Sequence, residues 1–228
     1  MPRRARVTLP GIAHHVIQRG NNRQACFYMD DDYETFLEWL EKYSAQTGCQ
    51  IHAYVLMTNH VHLLVTPKAQ QSLALMMKHL GQRYVQYVNR TYQRSGSLWE
   101  GRFRSCLVQS NRYVFSCYRY IELNPVRAAM VEHPAEYRWS SYRVNAQGEA
   151  CDLLSPHPTY LALAATRAKR AAVYRSLFND VLPPDLVEEL RAATTGNYAV
   201  GSARFKRDVE AALGRRAVPG RSGRPSNR

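Results

Sequence analysis

The chain has 228 residues, of which 45% are apolar, so it can build a hydrophobic core and is not an intrinsically disordered basic protein. No apolar run is long enough to cross a bilayer, and the N-terminus lacks the apolar segment of a secretory signal. The formal net charge of +13 instead favours a polyanionic partner. Arginine is the commoner cation and 15 tyrosines are interleaved with it, which indicates a nucleic acid with unpaired bases.

The five cysteines have neither the number nor the spacing of a disulfide framework or a cysteine zinc site. No two of them form a Cys-x-x-Cys pair. They are Cys26, Cys49, Cys106, Cys117 and Cys151. This usage predicts a reducing compartment, and we expect the protein in the cytoplasm.

The first 110 residues contain six predicted elements in the order strand, helix, strand, strand, helix, strand. Short β-branched or alternating runs predict the strands, and apolar stripes at helical spacing predict the helices. Their bounds are 12–19, 30–46, 51–57, 60–65, 72–92 and 98–109. This order is the split βαβ pattern of the ferredoxin-like fold, an α+β fold with a four-stranded antiparallel sheet and two helices on one face. A helix predicted at 111–123 supplies a further element for the other face.

His60 and His62 stand at the start of the third predicted strand. Side chains two apart in a strand project from the same face, so the two imidazoles lie side by side. Such a pair is a ready-made set of metal ligands. The alternative is a pair of half-buried histidines that serve only packing. In the ferredoxin-like layout this strand is an inner one, which places the pair near the centre of the sheet.

The third predicted helix carries three tyrosines, Tyr113, Tyr118 and Tyr120, and an Asn-Pro pair follows it. Pro125 ends or kinks the helix, because proline lacks an N–H and restricts the residue before it. Tyr120 and Asn124 are four residues apart, so they share a face if the turn continues that far. Two alternatives stay open: Asn124 caps a short following helix, and each tyrosine serves ordinary packing.

Three parts are predicted along the chain, and all the candidate catalytic residues fall in the first. They are a domain at 1–145, a helical C-terminal region at 150–213 and a basic flexible tail at 214–228. Residues 151–228 carry 13 Lys and Arg against 7 Asp and Glu. We expect this charge to add salt-dependent affinity for phosphates, so that a 1–150 fragment works alone at low salt. The alternative is that these helices pack over the sheet and complete the fold.

Two segments together resemble the REP-associated tyrosine transposases. These are relatives of the single-tyrosine insertion-sequence transposases, within the HUH nucleases (His, hydrophobic residue, His). The segments are TNHVHLLV at 58–65 and YRYIELNPVR at 118–127, and LWEGRFR at 98–104 adds to the match. The His-Val-His triplet alone is a weak motif, but both segments in this order on a strand–helix–strand–helix frame are specific. The resemblance covers about residues 8–145.

This resemblance implies that Tyr120 is the nucleophile and that His60 and His62 bind a divalent metal, Mg²⁺ or Mn²⁺. The family places a third polar ligand one helical turn after the tyrosine, often Gln. That position here is Asn124, shorter by one methylene. Tyr118 is a competing nucleophile, although only Tyr120 stands four residues before Asn124. The implied reaction is endonucleolytic cleavage and transfer of DNA strands through a 5′-phosphotyrosine, which a bound cation would assist by withdrawing charge from the phosphate.

The resemblance also implies the partner, which is single-stranded DNA at repetitive palindromes folded as hairpins. We expect a monomer or a homodimer, because insertion-sequence relatives act as dimers with the tyrosine helix supplied in trans. Candidates for contacts to DNA are seven arginines: Arg3, Arg4, Arg6, Arg19, Arg23, Arg102 and Arg104. Two other hypotheses remain, a rolling-circle type of HUH nicking enzyme and a basic DNA-binding regulator whose His pair is structural. Metal-dependent strand cleavage separates the regulator from the enzymes.

Overall fold

A five-stranded sheet lies at the centre of the computed structural model, which describes residues 7–110 and 112–219. The strands are β1 (Ala13–Arg19), β2 (Cys49–Met57), β3 (His60–Pro67), β4 (Arg104–Val108) and β5 (Ala199–Val200). Their order across the sheet is β2-β3-β1-β4-β5. The first four strands pair antiparallel, and β5 pairs parallel with β4. The predicted α+β, ferredoxin-like arrangement is therefore confirmed, with β1 and β3 as inner strands.

Eight α-helices accompany the sheet in the described part of the chain. They are α1 (Asp30–Thr47), α2 (Ser72–Thr91), α3 (Arg112–Glu122), α4 (Asn124–Arg127), α5 (Pro158–Leu161), α6 (Arg167–Ser176), α7 (Pro184–Gly196) and α8 (Ala203–Leu213). Helices α1 and α2 pack against each other and on one face of the sheet, whereas α3 and α7 pack on the other. Tighter 3₁₀ turns occur at Asn21–Arg23 and Pro134–Glu136, and one wider π turn at Arg143–Gln147.

Helix α1 shows how local sequence sets the element boundaries. Three aspartates occupy its first turn, where their charge is favourable to the helix dipole. The Asp32 carboxylate accepts hydrogen bonds from the backbone N–H groups of Tyr28 and Met29 at 2.7 and 3.1 Å. Gly48 ends the helix in the left-handed conformation with φ 69°, which glycine adopts at little cost.

The segment from 137 to 155 runs along the outer edge of β2. The Leu56 N–H donates to the Trp139 carbonyl at 2.9 Å, and the Ser155 N–H donates to the Ile51 carbonyl at 2.7 Å. An exposed sheet edge invites pairing with other chains, so this covering segment protects it. Three aromatic side chains of this segment, Tyr137, Trp139 and Tyr142, are buried in the core.

The prediction of a strand at 98–109 is wrong for the first half of that range. Only Arg104–Val108 forms a strand, because the chain turns through Gly101 with φ 121°, outside the extended region. Arg102 therefore lies in the approach to β4 rather than within the strand. Before the turn, Trp99 makes a single bridge to Gly20.

The C-terminal region joins the same sheet, as the alternative hypothesis for it proposed. Helix α7 packs on β4 and β1 and buries Leu190 completely. The N–H of Gln109 donates to the Val200 carbonyl at 2.9 Å, which ties β5 to β4. Ala217 belongs to the predicted flexible tail, yet it is buried and its carbonyl accepts the Ala199 N–H at 2.8 Å. The rest of that tail, 220–228, lies outside the described residues.

Two further features bear on the sequence predictions. No helix within 7–110 or 112–219 is long and apolar enough to cross a membrane. All five cysteines are free thiols, and four of them are buried. Burial raises the pKa of the Cys106 thiol to about 12, so this group is a protonated, uncharged part of the core at neutral pH.

Candidate active site

An open cleft of about 360 Å³ lies between β1, β3 and the helices α3, α4 and α7. The antiparallel register sets Ile17 opposite His62 and Arg19 opposite His60. Because alternate residues of a strand share a face, His15 joins Ile17 and Arg19 on the same side as the His pair. The side chains that line the cleft are His15, Ile17, Arg19, His60, His62, Tyr120, Asn124, Arg127, Arg191, Thr194 and Thr195. The structure thus brings the predicted His pair, Tyr120 and Asn124 to one place.

Of the two competing tyrosines, only Tyr120 lines the cleft. Its ring lies edge-on to His62 and to His15, with centroid distances of 5.7 and 5.4 Å. Two residues along a helix correspond to roughly 200° of rotation, so Tyr118 faces the opposite way. Tyr118 is fully buried and lies 5.7 Å from the ring of Tyr174. Tyr120 reaches the His pair of its own chain.

The orientation of His60 follows from its neighbour Asn59. The Asn59 amide nitrogen donates to the Arg23 carbonyl at 3.1 Å, which turns the amide oxygen towards His60. This oxygen lies 2.6 Å from His60 Nδ1. An amide oxygen only accepts, so Nδ1 carries the proton and Nε2 keeps its lone pair. A metal-binding histidine needs that arrangement.

Burial keeps the histidines of the cleft neutral at physiological pH. It lowers the pKa of His60 and of His15 to about 4 and about 3, and it lowers the pKa of His62 well below 6.5. The positive charge of Arg127 adds to the lowering at all three rings. A neutral imidazole is the form that binds cations, so these rings are available as ligands at neutral pH.

Asn124 is the first residue of α4, and the preceding Leu123 is the capping position, so Asn124 does not cap that helix. The backbone nevertheless continues from α3, since the Leu123 N–H donates to the Arg119 carbonyl at 2.9 Å. Asn124 therefore stays one turn after Tyr120, and its amide nitrogen lies 3.4 Å from the Tyr120 carbonyl. The amide oxygen is then the atom of this side chain that is suited to a cation.

Two arginines in the cleft were not among the sequence predictions. The Arg127 guanidinium lies 4.3 Å from the centre of the Tyr120 ring, and Arg191 hydrogen-bonds to Tyr120 and to Glu188. These two bonds raise the pKa of Arg191, the one to Glu188 most. Arg127 is the last residue of the YRYIELNPVR segment, so its closeness to Tyr120 in the sequence could have indicated a place in the site. Arg191 and Thr194 come from α7, and nothing local in their sequence points to the cleft.

Three of the predicted DNA-contacting arginines lie next to the cleft. Arg19, Arg102 and Arg104 line a small cavity of about 70 Å³ that shares Arg19 with it. Arg102 and Arg104 are exposed, as phosphate contacts require. Arg23 is exposed on the loop after β1. Arg3, Arg4 and Arg6 lie outside the described residues.

The donor set of the cleft limits which cations fit. No group of three His, Cys, Asp or Glu side chains in the described ranges is arranged to hold a metal ion. The candidate set is two imidazole nitrogens and one amide oxygen, from His60, His62 and Asn124. Such a set leaves coordination positions free for phosphate oxygens, and it is softer than the all-oxygen sites that Mg²⁺ prefers. It fits a divalent metal and suits Mn²⁺ better than Mg²⁺.

Comparison with known proteins gives a family and a fold. Residues 8–124 match the family described as "Transposase IS200 like". No curated protein matches the chain. The structure of a REP-associated tyrosine transposase bound to a REP hairpin is 16% identical, with a TM-score of 0.56 over 69% of this chain and 93% of that one. A candidate transposase from Deinococcus radiodurans is 18% identical, with a TM-score of 0.37 over 48% of this chain and 88% of that one. By the family match, which spans more than half of its residues, the chain belongs to the IS200-like transposases.

Proposed function

We propose that this transposase is a metal-dependent endonuclease and strand transferase of single-stranded DNA that acts at palindromic hairpins. The observation that carries the proposal is the convergence of Tyr120, His60, His62 and Asn124 on one cleft flanked by arginines. Packing alone would not require a His pair to share an open cleft with a tyrosine and two guanidinium groups.

Tyr120 is the nucleophile in this proposal. Its phenolic oxygen attacks the phosphorus of a phosphodiester and loses its proton to solvent in the cleft. The bond from phosphorus to the 3′ oxygen breaks, and this oxygen takes up a proton and leaves as a 3′-hydroxyl. The new bond is a 5′-phosphotyrosine, and its reversal with another 3′-hydroxyl joins strands without an external energy source.

His60, His62 and Asn124 hold the divalent metal, Mg²⁺ or Mn²⁺. When bound, it withdraws charge from the phosphate and polarises its non-bridging oxygens. The protein supplies the complementary charge, since Arg127 and Arg191 both lie next to Tyr120. Both guanidinium groups are suited to bind phosphate oxygens and to stabilise the phenolate that attacks.

The DNA is proposed to follow the exposed cations away from the cleft. Arg19, Arg102 and Arg104 continue the basic lining from the cleft, and Arg23 lies on the adjoining loop. Phosphate contacts of this type position a strand without reading its sequence. The hairpin itself is supported by the similar fold of the REP-associated transposase, whose structure holds a REP hairpin.

The test is a search for a covalent adduct between the protein and an end-labelled hairpin DNA with a single-stranded flank, in the presence of Mn²⁺. The wild-type chain should give a labelled band that survives denaturation, and Tyr120→Phe should give none while still binding the hairpin. Tyr118→Phe is the matched control, because it removes the same atom from the neighbouring tyrosine in the core. We expect it to form the adduct. Binding without any metal-dependent adduct would support the regulator hypothesis instead.

A further inference from the structure

A chain of three side chains leads from the His pair into the C-terminal region. His62 Nδ1 lies 2.7 Å from His15 Nε2. His15 Nδ1 lies 2.9 Å from Thr194 Oγ1, and the Thr194 hydroxyl donates to the Leu190 carbonyl at 2.7 Å. His15, His62 and Thr194 are all buried at the base of the cleft, so each of these hydrogen bonds is made between protein groups.

The direction of these hydrogen bonds is decided at the Thr194 end. A neutral imidazole has one N–H and one acceptor nitrogen, so the bond between His15 and His62 has two candidate directions. The Leu190 carbonyl only accepts, and a bond to it uses the single hydroxyl hydrogen of Thr194. Thr194 Oγ1 must then accept from His15 Nδ1, which leaves His15 Nε2 as an acceptor for His62 Nδ1–H.

The opposite direction loses a hydrogen bond. If His15 donated through Nε2, its Nδ1 would need a donor, and Thr194 would have to turn its hydrogen away from Leu190. The Cys106 thiol, 3.2 Å from Thr194 Oγ1, donates to that oxygen equally well in both arrangements and does not change the count. One buried hydrogen bond more or less is enough to favour one tautomer of the pair several-fold.

We propose that His15 and Thr194 are positioning residues that fix His62 as the Nδ1–H tautomer, with the Nε2 lone pair kept for the metal. This inference rests on the ligand role of His62 in the proposed function. His60 is fixed in the same tautomer by its chain neighbour Asn59. Helix α7 thus sets the chemistry of a ligand that lies 132 positions earlier in the chain, which gives the C-terminal region a part in metal binding.

The matched variants are Thr194→Val, which keeps the shape and removes the hydroxyl, and Thr194→Ser, which keeps the hydroxyl. The readouts are the protonation of the His62 ring nitrogens, from long-range ¹H–¹⁵N NMR spectra of the metal-free chain, and the Kd for Mn²⁺. Wild type and Thr194→Ser should show Nδ1–H at His62. Thr194→Val should populate Nε2–H and bind Mn²⁺ about tenfold more weakly, the usual loss for an outer partner of a metal-binding histidine.

Three results would contradict either the positioning role of His15 and Thr194 or the metal role of the proposed function. An Nε2–H tautomer at His62 in the wild-type chain overturns the inference, and this measurement needs no variant. An unchanged tautomer and Kd in Thr194→Val overturn it as well. If His62 is Nδ1–H but the wild-type chain does not bind Mn²⁺, the positioning by His15 and Thr194 stands and the metal role in the proposed function fails.

Discussion

Glu122 is a buried carboxyl two residues after Tyr120, and its titration should be visible in the stability of the protein. It has no exposed surface and accepts three hydrogen bonds, from Ser141 Oγ at 2.6 Å, Asn145 Nδ2 at 2.8 Å and Tyr174 Oη at 2.6 Å. The three donors favour the carboxylate, whereas burial favours the acid. Burial is the larger effect and raises the pKa of Glu122 from 4.5 to about 7.

The sign of the pH dependence follows from this raised pKa. The folded chain holds the Glu122 proton more tightly than the unfolded chain does, so the stabilisation is complete below about pH 4.5. It is lost as the pH rises towards 7. The two pKa values correspond to about 3 kcal/mol in all, and to about 2–3 kcal/mol between pH 5 and pH 8.5.

The assay is urea unfolding of the wild-type chain and of Glu122→Gln at a series of pH values from about 5 to about 8.5. The variant keeps the shape and cannot ionise, and both chains share the same histidines, so the histidine titrations cancel in the difference. The free energy of unfolding of the wild type minus that of the variant should fall by about 2–3 kcal/mol over this range. A difference independent of pH would show that the hydrogen bonds cancel the effect of burial, and one that rises with pH would show that they outweigh it; either result would contradict the raised pKa.

Two further predictions concern the C-terminal region and Asn124. A 1–150 fragment should fail to fold cooperatively, as followed by circular dichroism, because it lacks Leu190 and Val200, two fully buried side chains worth about 1.5–3 kcal/mol each. A cooperative transition at the wild-type urea midpoint would contradict this. If Asn124 is a ligand, calorimetry should show Mn²⁺ binding tightened by Asn124→Asp, which adds a charge, and weakened about tenfold by Asn124→Leu. Equal Kd values in both variants would remove Asn124 from the ligand set.

The sequence by itself determined the central sheet and most of the candidate site. Strand and helix patterns gave the βαββαβ order because alternation and helical stripes are local properties of the chain. The spacing of His60 and His62 placed both on one face, and the spacing of Tyr120 and Asn124 placed them one turn apart. The common location of both pairs came from the resemblance, since no local pattern relates residues 60 positions apart.

The tertiary structure decided what depends on contacts between distant segments. Helical rotation places Tyr118 and Tyr120 on opposite faces of α3. Only the packing of α3 on the sheet shows that Tyr118 lies in the core and Tyr120 in the cleft. His15 was within a predicted strand, but its role depends on the register between β1 and β3. Arg191 and Thr194 reach the cleft because α7 packs across β4 and β1, and β5 exists only as an addition to β4. The sequence gives little indication of β5, Arg191 or Thr194. A two-residue strand forms only where another strand pairs with it, and a polar residue of a helix lines a cleft only where the helix packs beside one.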